Sequence, residues 1–307
     1  MTTSEVPLTQ EKEQEKGAKA KSDRGFRRPR MLGAGKQLHA GPVTYVVLTI
    51  FALVSLAPLV WTAIAASRTD QRLAQTPPPL WFGGNLFKNL ERAWEEASLG
   101  AAMFNTTLVA TTITVGTVLF STLAGFAFAK LRFKFSSILL LLTIGTMMIP
   151  PQLAIVPLYL WMADLGWSNQ LQTVILPTLV TAFGTFFMRQ YLVQALPTEL
   201  IEAARVDGAS SLRIVWHVVF PAARPAMAVL GLLTFVFAWN DFLWPIIALN
   251  QDNPTVQVAL NALGTGYVPD QSVIMAGALL GTLPLLIAFL LFGKQIVGGI
   301  MQGAIKG

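Results

Sequence analysis

The chain has 307 residues, 53% of them hydrophobic and only 12% charged, with a formal net charge of +6 and no cysteine. Soluble domains carry roughly 25% charged residues, so a fully water-facing surface is not expected and lipid should cover much of the chain. The missing cysteine excludes a disulfide framework, a thiol nucleophile and thiolate metal centres, and the two histidines, His39 and His217, lie too far apart in sequence to suggest a metal site.

Residues 1–41 are polar, with Lys12, Lys16, Lys19, Arg27 and Arg28 set among Glu11, Glu13 and Glu15. They offer little apolar surface to bury and are expected to form a disordered tail. Six apolar runs follow, at about 43–66, 104–129, 136–160, 170–190, 225–247 and 272–293. Each matches the ~20 residues that cross hydrocarbon as a helix. None shows the alternating polarity of a membrane β-strand. The first run is longer than the 7–15 apolar residues of a cleaved leader and follows about 40 polar ones, so it is expected to remain as a span. The sequence therefore predicts an all-α integral membrane protein of six transmembrane helices, in a domain covering 42–307.

The basic residues sit between the runs, which argues against nucleic-acid binding and for the positive-inside rule. One set of flanks holds the tail, Lys130, Arg132, Lys134, Arg189, Arg205, Arg213, Arg224, Lys294 and Lys306. The other holds only four basic residues, Arg68, Arg72, Lys88 and Arg92, beside the acids Asp70, Glu91, Glu95, Glu96, Asp164, Asp252 and Asp270. The first set is expected to be cytoplasmic, which puts both termini there. Between the first two runs, the stretch from Asn89 to Trp94 suggests a short helix along the membrane face. Residues 250–270 are rich in Asn, Gly and Pro and suggest an exposed loop. Met147, Met148, Ile149, Pro150 and Pro151 mark a helix break that can border a solute path.

The segment 193–223 carries the most information. Thr198 can cap a first short helix, with Glu199 and Glu202 near its positive end. Gly208 suits the left-handed residue that ends it. Ser210 or Ser211 can cap a second, and Pro221 is expected to stop it. Ala203 and Ala204 permit close approach of another backbone, and Leu200, Ile201 and Val206 offer apolar contact. On physical grounds alone this is either a knob that docks in a partner's groove or a simple connector.

The spacing Glu202-Ala203-Ala204, three residues, Gly208, nine residues, then Val218-Val219-Phe220-Pro221 resembles the cytoplasmic signature of the permeases of binding-protein-dependent ATP-binding-cassette (ABC) importers. The signature has Ile and Leu where this chain has Val218 and Phe220. The wording from Glu202 to Ala209, the run from Trp239 to Pro245, and the C-terminal end from Gly298 to Gly307 resemble the carbohydrate branch, in particular the second maltose-type permease subunit.

The resemblance implies a type I ABC importer permease fold. Glu202, Ala203, Ala204, Asp207, Gly208 and Pro221 would couple to an ATPase. The expected partners are a second homologous permease, two ATPase subunits, an extracytoplasmic solute-binding protein and membrane lipid. The implied cargo is a sugar, a di- or oligosaccharide more readily than a monosaccharide. The chain has no Gly-x-x-x-x-Gly-Lys-Ser/Thr loop, so it is not expected to be an enzyme or to bind a cofactor; ATP and magnesium would belong to the partner ATPase.

Trp239, Asn240, Asp241 and Trp244 form the candidate substrate pathway. Asp241 is the one acid well inside a run, and either a structural hydrogen bond or a place in the sugar cavity suits it. The two tryptophans can stack on sugar rings or join the interfacial belt. The alternative function is an ion-coupled secondary transporter, which usually needs ionisable residues at mid-membrane. The runs are nearly bare of them.

Overall fold

In a computed structural model, the structure describes residues 41–265 and 269–304. The expected polar tail, with His39, lies outside the described residues except for Gly41, as do the last three residues of the C-terminal end. The chain divides into two units, one ending at Leu56 and the other running from Ala57. In the first unit, residues 42–56 are helical and carry no charge.

Helix α1 is Pro42–Ala66 and α2 is Leu86–Glu96. The long α3 is Leu99–Lys130, followed by α4, Ser136–Thr146, and α5, Ile155–Asp164. Then come α6, Leu171–Ile175, and α7, Ala182–Ala195. The short α8, Thr198–Val206, and α9, Ser211–Ile214, precede a π-helical turn, Val215–Val219, and α10, Phe220–Asn240. The last three are α11, Leu243–Ala248, α12, Val256–Leu263, and α13, Gln271–Ala304.

Among the described residues four helical stretches are long and apolar enough to cross a membrane: Pro42–Ala66, Leu99–Lys130, Ser211–Asn240 and Gln271–Leu291. Two bent pairs bring the number to six if each is one span. Ser136–Thr146 and Pro151–Asp164 meet at 91°, and Leu171–Thr178 and Ala182–Ala195 at 40°. The sharp bend falls on the Met147–Pro151 segment. Pro151 has no N–H to continue a helical ladder, and Pro150 disfavours the α conformation at the residue before it.

Three expectations are corrected. The second span begins at Leu99 rather than near 104, after Ser98 in the left-handed region (φ 49°). The fifth begins at Ser211 rather than 225, because neither Pro221 nor Pro225 ends the helix. The Phe220 N–H reaches back five residues to the Val215 carbonyl, and this widened turn absorbs the donor that Pro221 lacks. Finally, 250–270 is not a plain loop. It contains α12, whose Val256, Val258 and Ala259 are buried.

Helix α3 is the centre of the second unit. Its buried residues Thr106, Val109, Ala110, Ile113, Thr117, Ser121 and Gly125 recur every three or four positions. It runs parallel to α7 in a register set by small residues. The Thr117 hydroxyl donates to the Thr178 carbonyl at 3.3 Å. Gly184 lies on the Ser121 hydroxyl, and a Cβ on Gly125 would stand 2.7 Å from the Arg189 nitrogen. At the end of the lane Lys130 Nζ approaches the Val193 carbonyl at 3.5 Å.

The end of α3 near Leu99 is joined by polar contacts. The Asn89 amide donates to the carbonyls of Ala66 (2.8 Å) and Arg68 (2.7 Å). Asn105 donates to Asn253 and to the Pro254 carbonyl, both at 3.0 Å. Asp270 caps α13 by accepting from the Ser272 N–H (3.1 Å) and hydroxyl (2.6 Å), and it pairs with Arg92 of α2 at 2.6 Å. Burial alone would raise the Asp270 carboxyl, but the hydrogen bonds from Ser272 and Arg92 outweigh it and hold the group below the usual carboxylate range.

Two outcomes follow from this packing. Gly184→Val should destabilise the folded chain by about 1–3 kcal/mol, because an added side chain must displace α3. Gly231→Ala should be tolerated, since its Cβ would meet nothing nearer than 3.5 Å. Thermal unfolding in detergent compares the two. A carboxylate with a depressed pKa stabilises the fold above its ordinary value and loses that contribution as pH falls through its lower folded value. The Asp270 contribution should therefore be constant from pH 7 to about pH 5 and fade below about pH 4, the ordinary carboxylate range. Asp270→Asn should remove this acid-dependent component from a pH series of unfolding curves.

Candidate functional site

The segment between α7 and α10 folds as a knob. Contrary to expectation, Pro197 occupies the N-cap position of α8 and Thr198 is its first helical residue, with no side-chain cap. The preceding Leu196 is extended, as a residue before proline tends to be. Glu199 lies in the first turn and Arg205 in the last, each favourable to the helix dipole.

The helix ends as Gly208 predicts. Gly208 has φ +77°, its N–H donates to the Arg205 carbonyl at 3.0 Å, and the Ala209 N–H donates to the Ala204 carbonyl at 2.9 Å. This pair of bonds is the Schellman arrangement. Ser210 then caps α9 by accepting from the Arg213 N–H at 3.4 Å.

The knob has a buried root and an exposed crown. Ile201 is only 4% exposed and Ile214 3%, and both join a core with Met188, Leu192, Leu196 and Val219. Ile201 was expected on the docking surface, but helical periodicity turns it the other way. Glu202, Ala203, Asp207 and Gly208 are exposed, and Ala204 is half-buried. Around them stand Leu200, Val206 and Leu212, with Val206 88% exposed. Among the described residues no opposite charge lies within 4 Å of Glu199, Glu202, Arg205, Asp207 or Arg213. Pro221 is also exposed, but it sits beyond the π turn at the start of α10.

Trp239, Asn240, Asp241 and Trp244 gather at the other end of α10, whose 21 residues span about 31 Å. Neither tryptophan offers a free ring face to a solute in this conformation. Trp239 is 1% exposed and its indole N–H donates to the Gly281 carbonyl at 3.1 Å. Trp244 is buried and donates to the Thr173 carbonyl at 3.0 Å. Both tie elements together, as buried tryptophans with a satisfied N–H do. Asn240 is exposed and donates to the Val236 carbonyl at 2.8 Å. Asp241 is partly buried against the backbone N–H groups of Phe242, Leu243 and Trp244.

A cavity of about 360 Å³ lies beside α10, lined by Thr111, Thr114, Val115, Gly231 and Phe235 among others. Its lining is mostly apolar, and the Thr114 hydroxyl is already engaged by the Ala110 carbonyl at 2.6 Å. Among the described residues no cluster of three or more His, Cys, Asp or Glu side chains could hold a metal ion.

Sequence reasoning missed the root of the knob and the α3–α7 lane. The spacing of Thr117, Ser121 and Gly125, small residues four apart in an apolar run, was an available signal for the lane.

Gly208→Val should strain the knob. A Cβ there meets nothing within 4 Å, so the penalty is conformational, about 1–2 kcal/mol for a non-glycine residue in the left-handed region. The knob should open locally without unfolding the spans. Hydrogen exchange at the amides of Gly208 and Ala209 should quicken, while the α3–α7 amides stay protected.

The chain matches the family described as binding-protein-dependent transport system inner membrane component over residues 117–301. It is 31% identical to the lactose transport system permease protein LacG of Rhizobium radiobacter, over 86% of this chain and 96% of the relative. It is 32% identical to the sn-glycerol-3-phosphate transport system permease protein UgpE of Yersinia enterocolitica, over 84% of this chain and 95% of the relative. It is 31% identical to the arabinooligosaccharides transport system permease protein AraQ of Halalkalibacterium halodurans, over 87% and 98%. Its fold resembles that in a crystal structure of a bacterial ABC transporter involved in the import of the acidic polysaccharide alginate. The TM-score is 0.70 at 24% identity, covering 82% of this chain and 94% of that one. The ion-coupled carrier finds no support among these relatives. With a rooted knob, four to six apolar spans and these matches, the chain belongs to the binding-protein-dependent transport system inner membrane components, the permeases of ABC importers.

Proposed function

We propose that this permease carries a sugar, a di- or oligosaccharide, across the cytoplasmic membrane, driven by separate ATPase subunits that grip the 198–213 knob. The observation that carries the reading is the knob's construction. Its root is packed into the same core as α3, α7 and α10, while its crown presents exposed apolar groups and charges that no described residue pairs. A groove on an ATPase subunit would take Ala203, Val206 and Leu212, with Glu202 and Asp207 facing cations at its rim. Closure of an ATPase pair would then move the knob, and the rooted helices with it, as one body. That is the element an alternating-access cycle needs.

The remaining parts of the assembly are a second homologous permease, two ATPase subunits and an extracytoplasmic solute-binding protein. ATP and magnesium reside on the ATPase, and this chain supplies the pathway and the lever. The tail of residues 1–41 and the end near residue 307 are cytoplasmic, in keeping with the lysines and arginines flanking the spans. Sugar as cargo is supported by the named relatives, of which the lactose and arabinooligosaccharide permeases handle carbohydrates by name and the glycerol-phosphate permease a polyol phosphate. Residues 239–244 act in the pathway as a brace between helices rather than as a stacking platform.

Reconstitution of the complete transporter in proteoliposomes tests this. Sugar delivered by the cognate binding protein should accumulate only with ATP. Glu202→Lys, by reversing an exposed charge on the crown, should weaken ATPase co-purification by about tenfold, while the chain itself remains folded. Undiminished ATPase capture by that variant would rule out the knob as the docking element.

A further inference from the structure

The turn that joins α3 to α4 concentrates positive charge that no carboxylate among the described residues neutralises. Lys130 ends α3, and Arg132 and Lys134 follow within four residues. Arg189 lies at the neighbouring level of α7, since the Gly125 position of α3 packs on its backbone nitrogen. Among the described residues none of these four cations has a carboxylate within 4 Å. Their contacts are neutral. Lys130 Nζ approaches the Val193 carbonyl at 3.5 Å, and one Arg189 Nη donates to the Gln190 side chain at 2.7 Å. The Arg189 Nε is buried and has no hydrogen-bond partner among the described residues. An unsatisfied donor on a charged group is costly, and an anion is what would relieve it.

The same turn exposes large apolar groups. Phe135 is 69% exposed and Phe133 39%, although Phe133 also packs on Phe128 with ring centroids 5.7 Å apart. Helix α4 begins at Ser136 with no side-chain cap, so its first N–H groups add to the positive potential. Cations beside exposed aromatic rings, at the end of two membrane-crossing elements, call for a ligand that is anionic at one end and apolar at the other. A free phosphate would leave the phenylalanines in water.

We propose that this α3–α4 turn, together with Arg189, is a binding site for the headgroup of an anionic phospholipid, with the acyl chains lying along Phe133 and Phe135. The leaflet follows from the orientation proposed above and is the cytoplasmic one. Lipid held here bridges α3 and α7 just below the knob's root, where it would stiffen the lever.

Lipid binding by the purified full-length chain in neutral detergent provides the test, with phosphatidylglycerol and phosphatidylcholine as probes. Phosphatidylglycerol should bind selectively and raise the melting temperature, and phosphatidylcholine should not. The triple variant K130Q/R132Q/K134Q should bind phosphatidylglycerol on the order of 100-fold more weakly. The charge-keeping K130R/R132K/K134R and the opposite-end control R72Q/K88Q should bind like the wild type. Wild-type affinity in K130Q/R132Q/K134Q overturns the proposal. So does displacement of the lipid by millimolar inorganic phosphate, which would mark a soluble anion as the occupant. The orientation is read separately. The chain has no cysteine, so a Phe135→Cys variant labelled by an impermeant maleimide from the outer side would overturn the cytoplasmic assignment and place the lipid in the other leaflet.

Discussion

The junction of Ile201 and Ile214 with Met188, Leu192, Leu196 and Val219 is the constraint on which the rest depends. An exposed helix of nine residues is too short to be stable by itself in water. Here two buried isoleucines anchor it, each removal of such a side chain from water being worth about 1.5–3 kcal/mol. The Schellman closure at Gly208 and the Ser210 cap then set the direction in which the chain returns to the membrane. Displacing the crown without displacing the spans would require this core to break. The π turn at Val215–Val219 belongs to the same device, because it lets the chain pass Pro221 and continue as one helix to Asn240.

Within the spans the stabilising logic changes. Lipid tails are as apolar as the side chains they solvate, so close packing and hydrogen bonds hold helices together there. The lane of Thr117, Ser121, Gly125 and Gly184 supplies both, bringing α3 and α7 to backbone contact and sharing a threonine hydroxyl with the Thr178 carbonyl at the helix break before α7. Because the two helices run in parallel, the lane also carries the knob's root at one end and the α3–α4 turn beside it.

The far end is built from polar crosslinks instead. Asn89, Asn105, Arg92 and Asp270 each join segments distant in sequence. Trp239 and Trp244 contribute in the same way, donating to Gly281 and Thr173. Asn105, Trp239 and Trp244 stand in apolar runs, which invites a reading as ligand contacts. Their bonding partners explain them as braces.

Composition and hydropathy alone determined that the chain is helical and membrane-embedded, because a long run of uncharged residues has few other stable homes than a helix in lipid. The left-handed turn at Gly208 was equally legible, since it rests on local backbone preference, and the spacing from Glu202 to Pro221 was legible through its resemblance to a family signature. Tertiary structure decided what hydropathy cannot carry. Ile201 and Val206 are both apolar, yet one roots the knob and the other crowns it, according to which side of α8 faces the core. Pro221 reads as a stop, yet a widened turn carries the helix through. The residues 256–263 sit in a loop-like composition, yet burial of Val256 against Thr106 and its neighbours makes them helical. In each case the outcome rests on a neighbour distant in sequence, and local propensity holds no information about which neighbour that will be.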